Sequence, residues 1–116
     1  MWLAGCFMTP KMISPEELND NFDNVRSGDW SLVDVRDAFD YRAAHIPMAA
    51  LMPSGYTENM IGQVNPDNVV VLYCKTGIRS GREAQHLSNL GRKNVYSLKG
   101  GIDNWTASGY PVESWF

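Results

Sequence analysis

The chain has 116 residues, enough for one domain, with 44% hydrophobic side chains, 20% charged and a formal net charge of −3. That balance gives no global attraction to nucleic acid or to an acidic membrane surface, so any positive site must be local. No apolar run approaches the roughly 20 residues of a membrane-spanning helix, and two cysteines with two histidines suggest neither a disulfide framework nor a metal site.

Residues 1–11 read as a leader outside the core, and 12–116 as the folded domain. Within the leader, Leu3-Ala4-Gly5-Cys6 resembles the lipobox of bacterial lipoproteins, but only Met1 and Trp2 precede it. The expectation is a cytoplasmic protein. The alternative is a lipid-anchored cell-envelope protein, if the chain starts inside a longer precursor.

The domain opens with a helix signal. Ser14 suits the N-cap, Pro15 the first helical position, and Glu17 completes a capping box. Leu18, Phe22 and Val25 recur on one face, and Gly28 stops the helix. Ser31–Val35 reads as a strand, "DAFDYRAAH" as a short helix or turn, and "IPMAALMP" as a partly extended apolar segment. Thr57–Val64 reads as a helix, closed by the turn cluster Asn65 to Asn68. Val69–Tyr73 is apolar without alternation, as expected of a strand covered on both faces of a parallel sheet. A helix over Gly81–Leu90, a strand in "NVYSL", a "KGG" turn and a final helix in "IDNWTAS" follow. Strands alternating with helices give an α/β fold with a parallel sheet and right-handed crossovers.

Cys74 stands at the carboxyl end of the Val69–Tyr73 strand, where open parallel sheets bind ligands. A lone cysteine beside an apolar strand can simply be a small buried hydrophobe. The residues that follow argue otherwise: Lys75, Thr76, Gly77, Ile78, Arg79 and Ser80, then a helix. Such a loop can wrap with successive peptide N–H groups pointing inward, Gly77 allowing the left-handed turn. The following helix N-terminus adds unpaired N–H groups and roughly half a positive charge. With Lys75 and Arg79, these favour a thiolate at Cys74. The same field would bind an anionic substrate and steady a leaving anion.

These residues resemble the rhodanese family of sulfurtransferases. "LVDVRDAFDYRAAHIPMA" is similar to its N-terminal signature, "VVLYCKTGIRS" to its active-site loop, and "GRKNVYSLKGGIDNWTASGYPV" to its C-terminal signature. The three occur in order between about Ile13 and Val112. The resemblance implies a single rhodanese-like domain, a five-stranded parallel sheet flanked by helices on both faces. It implies a thiosulfate sulfurtransferase in which Cys74 takes sulfur from a small anionic donor as a persulfide. The sulfur then passes to cyanide, a thiol or a protein acceptor, with no metal or organic cofactor. A persulfide carrier or redox-sensing module is the alternative. A Cys-based phosphatase or arsenate reductase is disfavoured, because related phosphatases place five residues between cysteine and arginine and this loop places four between Cys74 and Arg79.

Ala44 and Met48 stand where the family pattern has glycine. Asp34 and Arg36, at the end of the first predicted strand, either border the loop or form a supporting network, with Arg36 held against Asp37 or Asp40. Arg79 either faces substrate or turns back to Asp34. Lys75 is expected at the pocket mouth, in solvent. His45 reads as structural, Trp105 as core, and "ALMPSGY" as a pocket border or sheet cover. The terminal "ESWF" either packs back or meets a partner.

Overall fold

In a computed structural model, which describes residues 10–116, five strands form one parallel sheet. The strands are β1 (Lys11–Ile13), β2 (Trp30–Asp34), β3 (Ala50–Leu51), β4 (Val69–Tyr73) and β5 (Val95–Leu98). Their spatial order is β1-β5-β4-β2-β3, which puts β4 at the centre. Parallel neighbours need crossovers, and five helices supply them: α1 (Pro15–Asp20), α2 (Phe22–Ser27), α3 (Ala38–Ala43), α4 (Thr57–Met60) and α5 (Ile78–Asn89); a sixth, α6 (Gly101–Ala107), follows the last strand.

The central strand explains the layering. Val71 and Tyr73 point to one core, with Leu18, Phe22, Val25, Ile102 and Trp105. Val70, Leu72 and Cys74 point to the other, with Ile61, Ala84 and Leu87. Both faces of β4 are therefore dry, which is why its sequence does not alternate. Trp105 is core, as expected, and its indole N–H donates to the Pro111 carbonyl.

Several boundaries differ from the sequence reading. The stretch expected as one helix from Ser14 to Gly28 is two, α1 and α2. The capping box at Ser14 and Glu17 is present. At Asn21, however, the side-chain amide donates to the Glu17 carbonyl and its oxygen accepts from Asn24. A side chain competing with the helical ladder in this way breaks it, while Leu18, Phe22 and Val25 still share one core. The helix expected over Thr57–Val64 is α4 followed by a tighter turn, Ile61–Gln63. Strand β1 begins at Lys11, which pairs with Tyr96, so the last residue of the expected leader belongs to the sheet. Residues 1–9, with Cys6 and the lipobox-like segment, lie outside the described residues.

Of the two positions that depart from glycine, Ala44 is extended at φ −163 and needs no special residue. Met48 has φ +71, in the left-handed region that a side chain disfavours. The terminal "ESWF" packs back: the Trp115 amide donates to the Arg42 carbonyl at 2.8 Å, and its indole meets Tyr41 and His45 edge-on. His45 is structural, as expected. It is buried, stacked on Tyr41, bonded through Nδ1 to the Tyr41 carbonyl oxygen, and 3.6 Å from the Glu113 carboxylate. Among the described residues no helix is long and apolar enough to cross a membrane.

Candidate functional site

Two helix N-termini converge on the turn after β4. Helix α5 starts at Ile78, three residues before the sequence-predicted start, because Gly77 takes φ +97 and turns the chain directly into it. Ile78 is exposed, so no apolar periodicity marks this first turn. The early start makes Ser80 the third residue of α5, whose amide has no partner within the helix. It points instead at Cys74 Sγ, 3.4 Å away, while the Gly77 amide donates to the same sulfur at 3.1 Å. From the other side, the Ile102 and Asp103 amides at the start of α6 donate to the carbonyls of Cys74 and Lys75, at 2.9 and 3.1 Å. The loop's carbonyls are thus tied outward to α6, and its amides are free to turn toward the sulfur.

Cys74 is 3% exposed. Burial raises the thiol pKa, but hydrogen bonds from the Ser80 hydroxyl and from the Ser80, Gly77 and Thr76 amides outweigh it, leaving the pKa below its ordinary value. The Ser80 hydroxyl lies 3.5 Å from Sγ and 2.8 Å from the hydroxyl of Ser97 on β5. When Ser97 donates to Ser80, the Ser80 proton is left for the sulfur or for the Gly77 carbonyl. Ser97 was not anticipated. The available signal was a polar residue between apolar ones in a buried strand.

The expected loop residues do come together. Cys74, Lys75, Thr76, Ile78, Arg79 and Arg82 line one cavity of about 220 Å³ above the sulfur. Their roles differ from expectation. The thiol's lowered pKa comes from peptide and hydroxyl donors, not from Lys75 or Arg79. Lys75 is exposed, as anticipated, but its ammonium is bonded to the Asp103 carboxylate at 2.8 Å. Arg79 does not turn back to Asp34. That carboxylate is taken by Arg36, in a buried forked pair at 2.7–3.2 Å. Arg36 pairs with neither Asp37 nor Asp40: Asp37 instead caps α3 by accepting from the Asp40 amide. The supporting-network reading of Asp34 and Arg36 fits this geometry, with a different partner. Arg36 also donates to the Ala44 carbonyl, which ties β2 to the segment before β3. Tyr73, next to Cys74, accepts from the Ile46 amide through its hydroxyl, and burial drives its pKa up. The "ALMPSGY" segment splits: Met52 covers the sheet with Val33 and Val35, while Tyr56 is exposed. Among the described residues no group of three His, Cys, Asp or Glu side chains could hold a metal ion.

The comparisons with known proteins agree with this architecture. The family model for the rhodanese-like domain matches residues 14–108. The chain is 31% identical over 102 residues to thiosulfate sulfurtransferase GlpE of Actinobacillus pleuropneumoniae, covering 88% of this chain and 92% of that one. It is 36% identical over 74 residues to the Bacillus subtilis protein YqhL, covering 64% of this chain and 59% of the relative. With the probable adenylyltransferase/sulfurtransferase MoeZ of Mycobacterium tuberculosis it is 35% identical over 101 residues, 85% of this chain but only 25% of that much longer protein. Among solved structures, a rhodanese-related protein of Thermoplasma volcanium superposes with a TM-score of 0.78 at 26% identity, over 89% of this chain and 97% of that one. With the match spanning the sheet, the Cys74 turn and both helices that converge on it, the chain belongs to the rhodanese-like domain family.

Proposed function

We propose that the chain is a thiosulfate sulfurtransferase that carries sulfur as a persulfide on Cys74. The observation that carries the reading is the set of polar groups on one sulfur: the Gly77 and Ser80 amides donate to it at 3.1 and 3.4 Å, and the Ser80 hydroxyl oxygen lies 3.5 Å away, able to donate once the sulfur is a thiolate. A thiolate held this way needs no neighbouring base. It attacks the outer sulfur of thiosulfate, the donor's S–S bond breaks, and the electron pair leaves with sulfite. The new outer sulfur is itself anionic, and peptide N–H donors of the loop would steady it there, as an oxyanion hole steadies oxygen. A nucleophile, cyanide or a thiol, then attacks that outer sulfur and Cys74 departs as thiolate. No step calls for a metal or an organic cofactor. Arg79, on the cavity wall, supplies positive charge toward an anionic donor. The name of the A. pleuropneumoniae relative supports the choice of donor.

The test is thiocyanate formation from thiosulfate and cyanide, with wild type and Cys74→Ala. Turnover lost in the variant supports the enzyme. A mass gain of one sulfur on Cys74 without turnover supports a persulfide carrier. Neither turnover nor mass gain overturns both.

A further inference from the structure

We propose that Arg82, with the groove running from Cys74 along α5, forms an acceptor subsite for small thiols that carry carboxylates. The proposal rests on the persulfide reading above and names the acceptor class of that site.

The groove follows from helix geometry. Ile78, Arg82, Gln85 and Asn89 recur at i, i+4, i+7 and i+11, so they lie on one face of α5. That face starts beside the sulfur cradle and runs along the edge strand β1. The result is a cavity of about 540 Å³, with Ile78, Gly81 and Met12 among its walls. It is distinct from the smaller cavity over Cys74 but shares Ile78 and Arg82 with it, so the two adjoin at those residues. Ile78 is 65% exposed and Met12 45%, an apolar surface left open next to a reactive sulfur.

Charge marks the junction. The chain as a whole is acidic, at −3, yet no carboxylate lines either cavity. Lys75 is already bonded to Asp103, and His86 at the far end to Glu58. Among the described residues no ion pair is formed by Arg79 or Arg82. Arg79 lines the sulfur cavity but not the groove, whereas Arg82 lines both. An acceptor whose thiol reaches the persulfide from the groove therefore passes Arg82, and a carboxylate on it gains a charge-assisted bond there.

Size selects the class. From Ile78 to Asn89 the helix rises about 16 Å, the span of a short peptide-sized molecule, and the volume is that of a small-ligand pocket. The chemical step is balanced without an outside oxidant. The acceptor thiolate attacks the outer sulfur of the Cys74 persulfide, the S–S bond breaks, and the electron pair returns to Cys74.

The experiment compares glutathione, which carries two carboxylates, with uncharged 2-mercaptoethanol as acceptors, in wild type, Arg82→Ala and Arg82→Lys. Binding of unreactive S-methylglutathione is measured by calorimetry alongside. Losing one charge-assisted bond should raise the ratio of the glutathione KM to the 2-mercaptoethanol KM about tenfold in Arg82→Ala. S-methylglutathione should bind about tenfold more weakly, and Arg82→Lys should recover part of both losses. An unchanged ratio with unchanged S-methylglutathione binding overturns the subsite, as does a preference only for cysteine in an acidic polypeptide. If wild type forms no persulfide, the sulfurtransferase reading fails instead, while the calorimetric effect of Arg82→Ala would still reveal the carboxylate subsite.

Discussion

Gly101 is pressed against the backbone of Cys74: a Cβ at Gly101 would sit 2.5 Å from the Cys74 carbonyl oxygen and 2.4 Å from that of Lys75. Real Cβ atoms do not approach backbone so closely, and Gly101 also has φ +64. This contact is what lets the start of α6 reach the loop and bond its two carbonyls. The orientation of the amides around the sulfur thus depends on a residue 27 positions away in the chain, the difference between 101 and 74.

Gly101→Ala should therefore destabilise the fold by about 2–4 kcal/mol, since the clash is with backbone that cannot swing aside. Gly109→Ala is the control. It also has positive φ, but its added carbon would meet nothing within 4 Å, so its cost should stay near 1–2 kcal/mol. Urea unfolding of both reads the stability. In the folded fraction of Gly101→Ala, alkylation of Cys74 at neutral pH should slow as well. Equal costs for the two variants would show that packing against the loop contributes nothing.

The lowered pKa of Cys74 has a stability consequence with a definite sign. The folded chain releases the thiol proton at lower pH than the unfolded chain, whose thiol titrates near 8.5. Between those two values the unfolded state binds more protons, so stability rises with pH. The gain is complete above the unfolded value and vanishes below the folded one. The unfolding free energy of wild type minus that of Cys74→Ser should thus climb as pH rises toward about 8.5 and then level off. Adding Ser80→Ala removes a donor to the sulfur, raises the folded pKa and narrows the window. A difference that stays flat across that range would mean the donors do not favour the thiolate.

Much of this arrangement could be read in the sequence, and what could not has a common cause. Strand β4, the capping box at Ser14 and the position of Cys74 at a strand end were legible because each depends on near neighbours in the chain. The short strands β1 and β3, of three and two residues, carry no periodicity: β3 falls in the segment that reads only as partly extended, and β1 has no signal of its own. Only the family resemblance implied five strands. In the candidate site, the loop residues can be named from the sequence, but their partners cannot. The bonds of Lys75 to Asp103, Ser80 to Ser97, and the Cys74 carbonyl to Ile102 each join residues separated by 17 to 28 positions. Arg36 is the instructive miss: its partner is two residues before it, not after, because Asp34 is the last residue of β2 and points into the buried layer.

Asp34 and Arg36 provide a contrast between buried and exposed charge. Both are buried, and the fork between them is supplemented by the Arg36 amide, which donates to the same carboxylate at 2.9 Å. Asp34→Ala leaves a guanidinium buried without its counter-charge and should cost about 3–5 kcal/mol. Asp103→Ala removes the exposed partner of Lys75 and should cost at most about 1 kcal/mol. Denaturant midpoints for the two variants, with unchanged slopes, check the ordering. A cost for Asp34→Ala as small as that for Asp103→Ala would show that water reaches the buried pair.

Met48 is the position where a change should improve the protein. It holds φ +71 where the family pattern has glycine, and its side chain is exposed, so little packing compensates the strain. A non-glycine residue in this region costs roughly 1–2 kcal/mol. Glycine removes that cost but adds freedom to the unfolded chain, worth about 0.5–1 kcal/mol in the other direction. The balance favours Met48→Gly by up to about 1 kcal/mol, with a corresponding rise in Tm of several degrees for a domain of this size. Because Ala49 accepts the Tyr41 hydroxyl and Ile46 donates to the Tyr73 hydroxyl, the segment is fixed on both sides of Met48, and relaxing it should leave Cys74 reactivity unaltered. A variant less stable than wild type would mean that the Met48 side chain, beside Trp105 and Pro111 in a surface cleft, contributes more by covering that cleft than it loses to backbone strain.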